Sequence, residues 1–138
     1  MIKNILLYLW QLPQNIGGLI VLLFNLKNKE KCSLSGITYW KVKHINDCGI
    51  SLGNYIILDK DTYISETSIK HEHGHQIQSL YFGPVYLIFI GLPSAVGNLI
   101  DRYMHKKWSR RKRQLWYYSQ PWEAGADKLG KVERLYSV

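Results

Sequence analysis

Cysteine is nearly absent from this chain, and the two residues present, Cys32 and Cys48, lack the short paired spacing of a thiolate metal site. Two thiols close at most one bridge, so no disulfide framework is expected and a reducing compartment is the plainer reading. No internal repeat and no low-complexity linker interrupts the sequence, which argues against solenoids and tethered modules. A clean hydrophobic span is missing as well. Residues 5–26, ILLYLWQLPQNIGGLIVLLFNL, are long enough to cross a bilayer but are interrupted by Gln11, Pro13, Gln14 and Asn15. Residues 82–100, FGPVYLIFIGLPSAVGNLI, carry no charge but hold two prolines and three glycines. The early apolar run breaks soon and is followed by no small-x-small cleavage site, so it does not read as a cleavable signal peptide. Acidic side chains are scarce: 10 Asp and Glu against 18 Lys and Arg leave a net charge of +8. The excess gathers in RYMHKKWSRRKRQ, residues 102–114, and in KNKEK, residues 27–31, which suits anionic partners.

What is present is a chain of 138 residues, 46% apolar and 20% charged, the composition of one compact domain over residues 1–138. Residues 1–26 predict one or two helices, broken near Pro13 or Gly17-Gly18, and residues 27–35 a polar loop. Residues 36–45, GITYWKVKHI, alternate as a strand does; NDCG makes a turn; ISLGNYIILD predicts one or two further strands around a tight turn at Gly53-Asn54. The period then becomes helical. One helix is expected through SIKHEHGHQIQSL, capped by Asp61, Thr62 or Ser65 and ended by Gly83-Pro84. A second follows over residues 85–104, bent around Pro93, and a last one opens at Pro121. Strands followed by helices predict an α+β fold with a short antiparallel sheet.

The apolar stretches admit two expectations. They are either buried core helices of a cytoplasmic protein or elements that touch a bilayer, with residues 1–26 as the membrane-associated segment. In the second case Lys27, Lys29 and Lys31 follow the first stretch and the Arg/Lys run follows the second, which puts both flanks, and the site, on the cytoplasmic side. The second stretch then enters and leaves on one face, favouring interfacial or re-entrant contact over a full crossing.

The chemistry concentrates in His71-Glu72-His73-Gly74-His75, which holds three of the five histidines. Residues four apart share one helix face, so His71 and His75 project together and can bind one metal through imidazole nitrogens. Glu72, offset by about 100°, lies beside the metal, where it can take a proton from water. His73 points to nearly the opposite face and is excluded, while Gly74 leaves room for another element to pack close. A catalytic site needs a third protein ligand. His105, Asp101 and Glu123 are the downstream candidates. Glu123 is the strongest because it opens EAGAD, which sets Glu123 and Asp127 four apart on one face. Asp127 could then accept a hydrogen bond from the free ring N–H of a ligating histidine.

HEHGH together with EAGADKLG resembles the HExGH and ExxAD pair of the CaaX prenyl endopeptidase and heat-shock membrane protease group, a variant of the gluzincin arrangement of zinc metallopeptidases. The resemblance covers roughly residues 65–82 and 120–131 and is to a shortened version of that group. It implies a small zincin-like domain, with a short sheet, an HExxH helix and a C-terminal helix bearing the glutamate. It implies Zn2+ as cofactor, His71, His75 and Glu123 as its ligands, Glu72 as general base and Asp127 as the partner of a ligating histidine. An edge strand within residues 36–58 would bind an extended peptide by strand addition. For a transition-state stabiliser Tyr117, Tyr118, His105 and Arg102 are candidates through their closeness to Glu123 in sequence. HEHGHQIQSLYFGPVYL and YYSQPWEAGADKLG are also similar to small bacterial proteins of the same type, so a bacterial source is expected.

The expected activity is therefore a membrane-associated, zinc-dependent metalloendopeptidase acting on a peptide or protein. The alternative is a non-catalytic zinc-binding or membrane-surface interaction protein with a remnant motif. A structural zinc site would need a fourth protein ligand, and Glu72 has no use in one. The run RYMHKKWSRRKRQLWYY reads as a patch for an anionic membrane surface or as a solvated loop covering the site, with nucleic acid ranked below both.

Overall fold

The computed structural model describes residues 2–43, 45 and 49–134, so the turn predicted at NDCG, with Cys48, falls almost wholly outside the described residues. Helix α1 (Ile2–Trp10) and helix α2 (Leu12–Phe24) meet at Gln11 with a bend of 86°. Pro13 accounts for the place: it offers no N–H to the carbonyl one turn earlier and its ring displaces that carbonyl, so a helix cannot run through. The glycine pair expected as the alternative break lies inside α2. No single helix among the described residues is long and apolar enough to cross a membrane; α1 and α2 pass together by length and composition, but only as a bent pair.

Strands β1 (Glu30–Leu34) and β2 (Ile37–Val42) form a hairpin through Ser35 and Gly36, both at positive φ, as a two-residue primed turn requires. The polar loop expected over residues 27–35 is corrected here, because its second half is a strand. An edge strand wetted on both faces carries no apolar alternation to betray it. Strands β3 (Gly49–Leu52) and β4 (Tyr55–Asp59) form a second antiparallel hairpin, at Gly53-Asn54 as predicted. The sheet order is β1-β2-β4-β3, with β2 and β4 parallel, so the sheet is mixed and the expectation of an antiparallel one is corrected. The chain leaves β2, skips a position to lay down β3 at the edge, and returns in β4 beside β2. The hairpin reverses direction, which forces β4 to run with β2.

Being central, β4 is buried on both faces, which its unbroken apolar run reflects. Ile56 and Leu58 pack with Tyr39 against Ile69 of helix α3 (Glu66–Phe82), and Ile57 packs with Val42 against Leu22 of α2. The sheet is thus layered between α2 and α3. Of the three candidate caps Ser65 starts α3, its hydroxyl accepting from Ser68 N–H at 3.0 Å. Gly83 ends it.

A 3-10 turn at Gly83–Val85 and a π-helical turn at Leu87–Gly91 lead into helix α4 (Leu92–Met104). The expected bend at Pro93 is thereby corrected: the irregular turn precedes the proline, which sits in the first turn of α4, where a missing N–H costs little. The basic run holds helix α5 (Arg110–Tyr118), capped by Ser109, and helix α6 (Pro121–Gly130) follows. α6 lies across α3 in tight contact at Gly74, where an added Cβ would overlap the Ala126 carbonyl. Gly74→Ala should therefore lower stability by about 1–3 kcal/mol, the usual cost of overpacking a close contact. Urea unfolding of the metal-free protein checks this.

Candidate metal centre

Helix α3 buries a polar face. His71, Glu72, His75, Gln78 and Ser79 all point inward, toward α6 and the sheet. Polar groups so placed must find partners. Both Nε2 atoms meet one carboxylate oxygen, Glu123 Oε2, at 3.0 Å from His71 and 3.3 Å from His75. Glu123 is 0% exposed. The ligand atoms of His71, His75 and Glu123 lie within 4.8 Å of one another, so this buried group could hold a metal ion. The structure thus brings together the three residues predicted from HExxH and EAGAD.

The outer nitrogens are held as well. His71 Nδ1 bonds Asp127 Oδ1 at 2.7 Å, the contact the sequence predicted. His75 Nδ1 bonds Gln78 Oε1 at 2.7 Å, and Gln78 Nε2 donates to the Trp122 carbonyl at 2.8 Å. An imidazole that donates through Nδ1 and gives up its proton at Nε2 turns that lone pair into the centre, the form metal ligation requires. Sequence reasoning missed Gln78; its position three after His75, on the same face, was the available signal. It also missed Arg134, which donates to Asp127 Oδ1 at 2.8 Å and lies with its guanidinium carbon 3.2 Å from the centre of the Tyr118 ring. No spacing motif marks that residue.

The remaining expectations sort by position. His73 bonds Gln76 at 3.1 Å and stands outside the ligand group. Tyr118 packs edge-on against His71 at 5.3 Å between ring centres. Tyr117 and Arg102 line the cavity above the histidines. His105 does not: it stacks on Trp108 at 3.7 Å and lies 3.5 Å from Asp101, so both downstream alternatives to Glu123 are engaged with each other. As a candidate ligand or stabiliser His105 is therefore corrected: an aromatic clamp holds it away from the centre.

Burial works against a charge on His71, but its hydrogen bonds to Asp127 and Glu123 outweigh it and push the pKa from 6.5 up to about 9. Burial would raise Glu123, yet the two imidazoles hold it well below the usual carboxylate range. Asp127 is lowered in the same way, by His71 and Arg134 against burial. Glu72 moves the other way: burial raises it, against the lowering pull of His71 and His75. It comes so close to β3 that a Cβ at Gly49 would collide with its carboxylate.

A metal fits these residues. Glu123 Oε1 is buried with no hydrogen-bond partner among the described residues, an orphaned acceptor beside two imidazole nitrogens. Two imidazoles and a carboxylate form a three-donor set of the kind that leaves a coordination position open. No family model matches the chain, and no curated protein or solved structure matches it either.

The raised pKa of His71 sets a sign. In the metal-free protein its contribution to stability is fully present below about pH 6.5 and is lost as pH rises through about 9. A divalent metal held by His71, His75 and Glu123 would replace that proton. Titrating metal into metal-free protein at pH 7 should release roughly one proton, and affinity should strengthen up to about pH 9. Calorimetry in buffers of different ionisation enthalpy reads the release.

Proposed function

We propose that the chain is a zinc-dependent metalloendopeptidase. The observation that carries this reading is the placement of Glu72. It is buried beside the His71–His75–Glu123 group and lines a cavity of about 690 Å³ whose wall includes all four residues of the edge strand β3. An edge strand facing such a cavity suits an extended peptide, which adds to it as a further strand. Zinc, when bound, supplies a Lewis acid that acidifies water and polarises a carbonyl.

The chain's own residues do the rest. Glu72, its pKa raised by burial, is a base poised nearer neutrality than an exposed carboxylate. It takes the proton of the attacking water and passes it to the leaving amine. Tyr117 lines the same cavity, and burial followed by the field of Glu123 pushes its pKa up, so its hydroxyl stays protonated and able to donate to a developing oxyanion. Asp127 and Gln78 hold the two imidazoles in register.

Glu72→Gln should bind metal like the parent and lose hydrolysis of a denatured protein substrate by about 10²–10⁴-fold. Equal cleavage by the two proteins, or cleavage that survives a chelator, would sink the assignment. Tyr117→Phe should lower kcat about a hundredfold with little change in KM. A loss confined to KM would leave Tyr117 as a binding residue only.

A further inference from the structure

We propose that the outer faces of α1, α2 and the segment from Leu87 to Met104 form one surface that embeds in an anionic bilayer leaflet without crossing it. These elements are turned inside out. A helix of a water-soluble protein hides its apolar stripe and shows its polar one. In α2 the buried residues are Gln14, Asn15, Gly18 and Leu22, while Ile16, Leu19, Ile20, Leu23 and Phe24 face outward, Phe24 being 86% exposed. α1 buries no residue. α4 buries only Gly97 and exposes Leu92, Val96, Leu99 and Tyr103; Phe89 before it is 60% exposed.

The inward polar groups show why the helices sit this way round. Gln14 Nε2 donates to Ser79 Oγ at 3.0 Å and to the Gly83 carbonyl at 2.7 Å. Asn15 Oδ1 accepts from Asn54 N–H at 2.8 Å, and Trp10 Nε1 donates to the Leu80 carbonyl at 3.0 Å. These bonds fix α1 and α2 beside the start of the second apolar segment, at Ser79, Leu80 and Gly83. Apolar surface exposed on this scale marks an interaction site.

Charge and length decide what covers it. The one acidic residue in these elements, Asp101, is paired with Arg113, whose terminal nitrogen donates to it at 2.7 Å. Lys27 follows α2, and Lys106, Lys107, Arg110 and Arg111 follow α4, all exposed. A basic margin on an apolar face complements anionic headgroups, whereas a face buried against a second copy has no need of one. At about 1.5 Å per residue neither arm of the bent pair reaches across a hydrocarbon core of about 30 Å. The arms suit the interface plane instead. Leu92 and Leu99 are both exposed and line the cavity above Glu72, so the cavity opens toward the embedded side. On the peptidase reading, which this last step rests on, the substrate is a membrane-resident peptide segment entering from the lipid.

The test uses the full chain with its metal, transferred from detergent to vesicles of phosphatidylcholine, with or without phosphatidylglycerol. The protein should float with both kinds and more with the anionic one, the preference shrinking in high salt. Leu23→Glu and Phe89→Glu should each weaken partition about tenfold or more with metal stoichiometry unchanged, which shows the variants folded. A nitroxide placed at position 89 should be reached by oxygen more readily than by a water-soluble nickel chelate. A protein that stays in the aqueous fraction with both vesicles, or a stable dimer that shields position 89 from both probes, overturns the proposal. Flotation of Glu72→Gln equal to that of the parent separates this surface from the peptidase reading, which hydrolysis of a soluble substrate tests alone.

Discussion

A carboxylate with no access to water, held between two imidazoles, is the constraint on which the rest of this structure depends. Burying the Glu123 charge is costly unless positive or metal partners meet it. Its partners lie on α3, the nearer of them, His75, 48 residues earlier, so α3 and α6 must cross closely and in one register. Gly74 permits the approach by offering no side chain to Ala126. Asp127, one turn after Glu123, takes the outer nitrogen of His71 and is itself held by Arg134. The Trp122 carbonyl holds Gln78, and Gln78 holds His75. These side-chain hydrogen bonds between the two helices thus serve the orientation of an imidazole.

The same constraint explains why α3 lacks an ordinary apolar stripe. Its inner face is given to ligands and their supports, so apolar burial against the sheet falls mainly to Ile69. β4 compensates by packing on both faces. Polar continuity extends beyond the centre: Ser79, two turns after His71, receives Gln14 of α2. The outer helices are attached to the helix that carries His71 and His75 through hydrogen bonds, and that leaves their apolar sides turned outward.

Much of the centre was legible because helical spacing converts sequence into geometry with no knowledge of the fold. A spacing of four from His71 to His75, and of four from Glu123 to Asp127, was enough to nominate faces, and crossing the two helices brought those faces together. Gln78 and Arg134 were not legible, since each acquires its role from a partner that only folding supplies, the Trp122 carbonyl in one case and the Asp127 carboxylate in the other. The α+β class followed from the switch of period near Asp61. Strand direction did not, because alternation within β2 and β4 reads the same whichever way the neighbour runs. β1 escaped notice for a related reason, its side chains being wetted on both faces.

Glu72 shows how one residue's chemistry is set by several layers at once. It lines the large, mostly apolar cavity by β3 and α4, and also a smaller one of about 130 Å³ bordered by Asp59, Thr62, Tyr118 and Arg134. Burial raises its proton affinity, while His71, His75 and Arg134 pull it down. A carboxyl whose pKa is raised on folding opposes folding once pH passes the unfolded value, so its placement weakens the fold at neutral pH. The His71, Glu123 and Asp127 shifts oppose that loss in the metal-free chain, because each of those groups is ionised where its partner is ionised. The three paired groups carry the stability of the centre, and Glu72, which lines both cavities, is left to exchange protons with whatever occupies them.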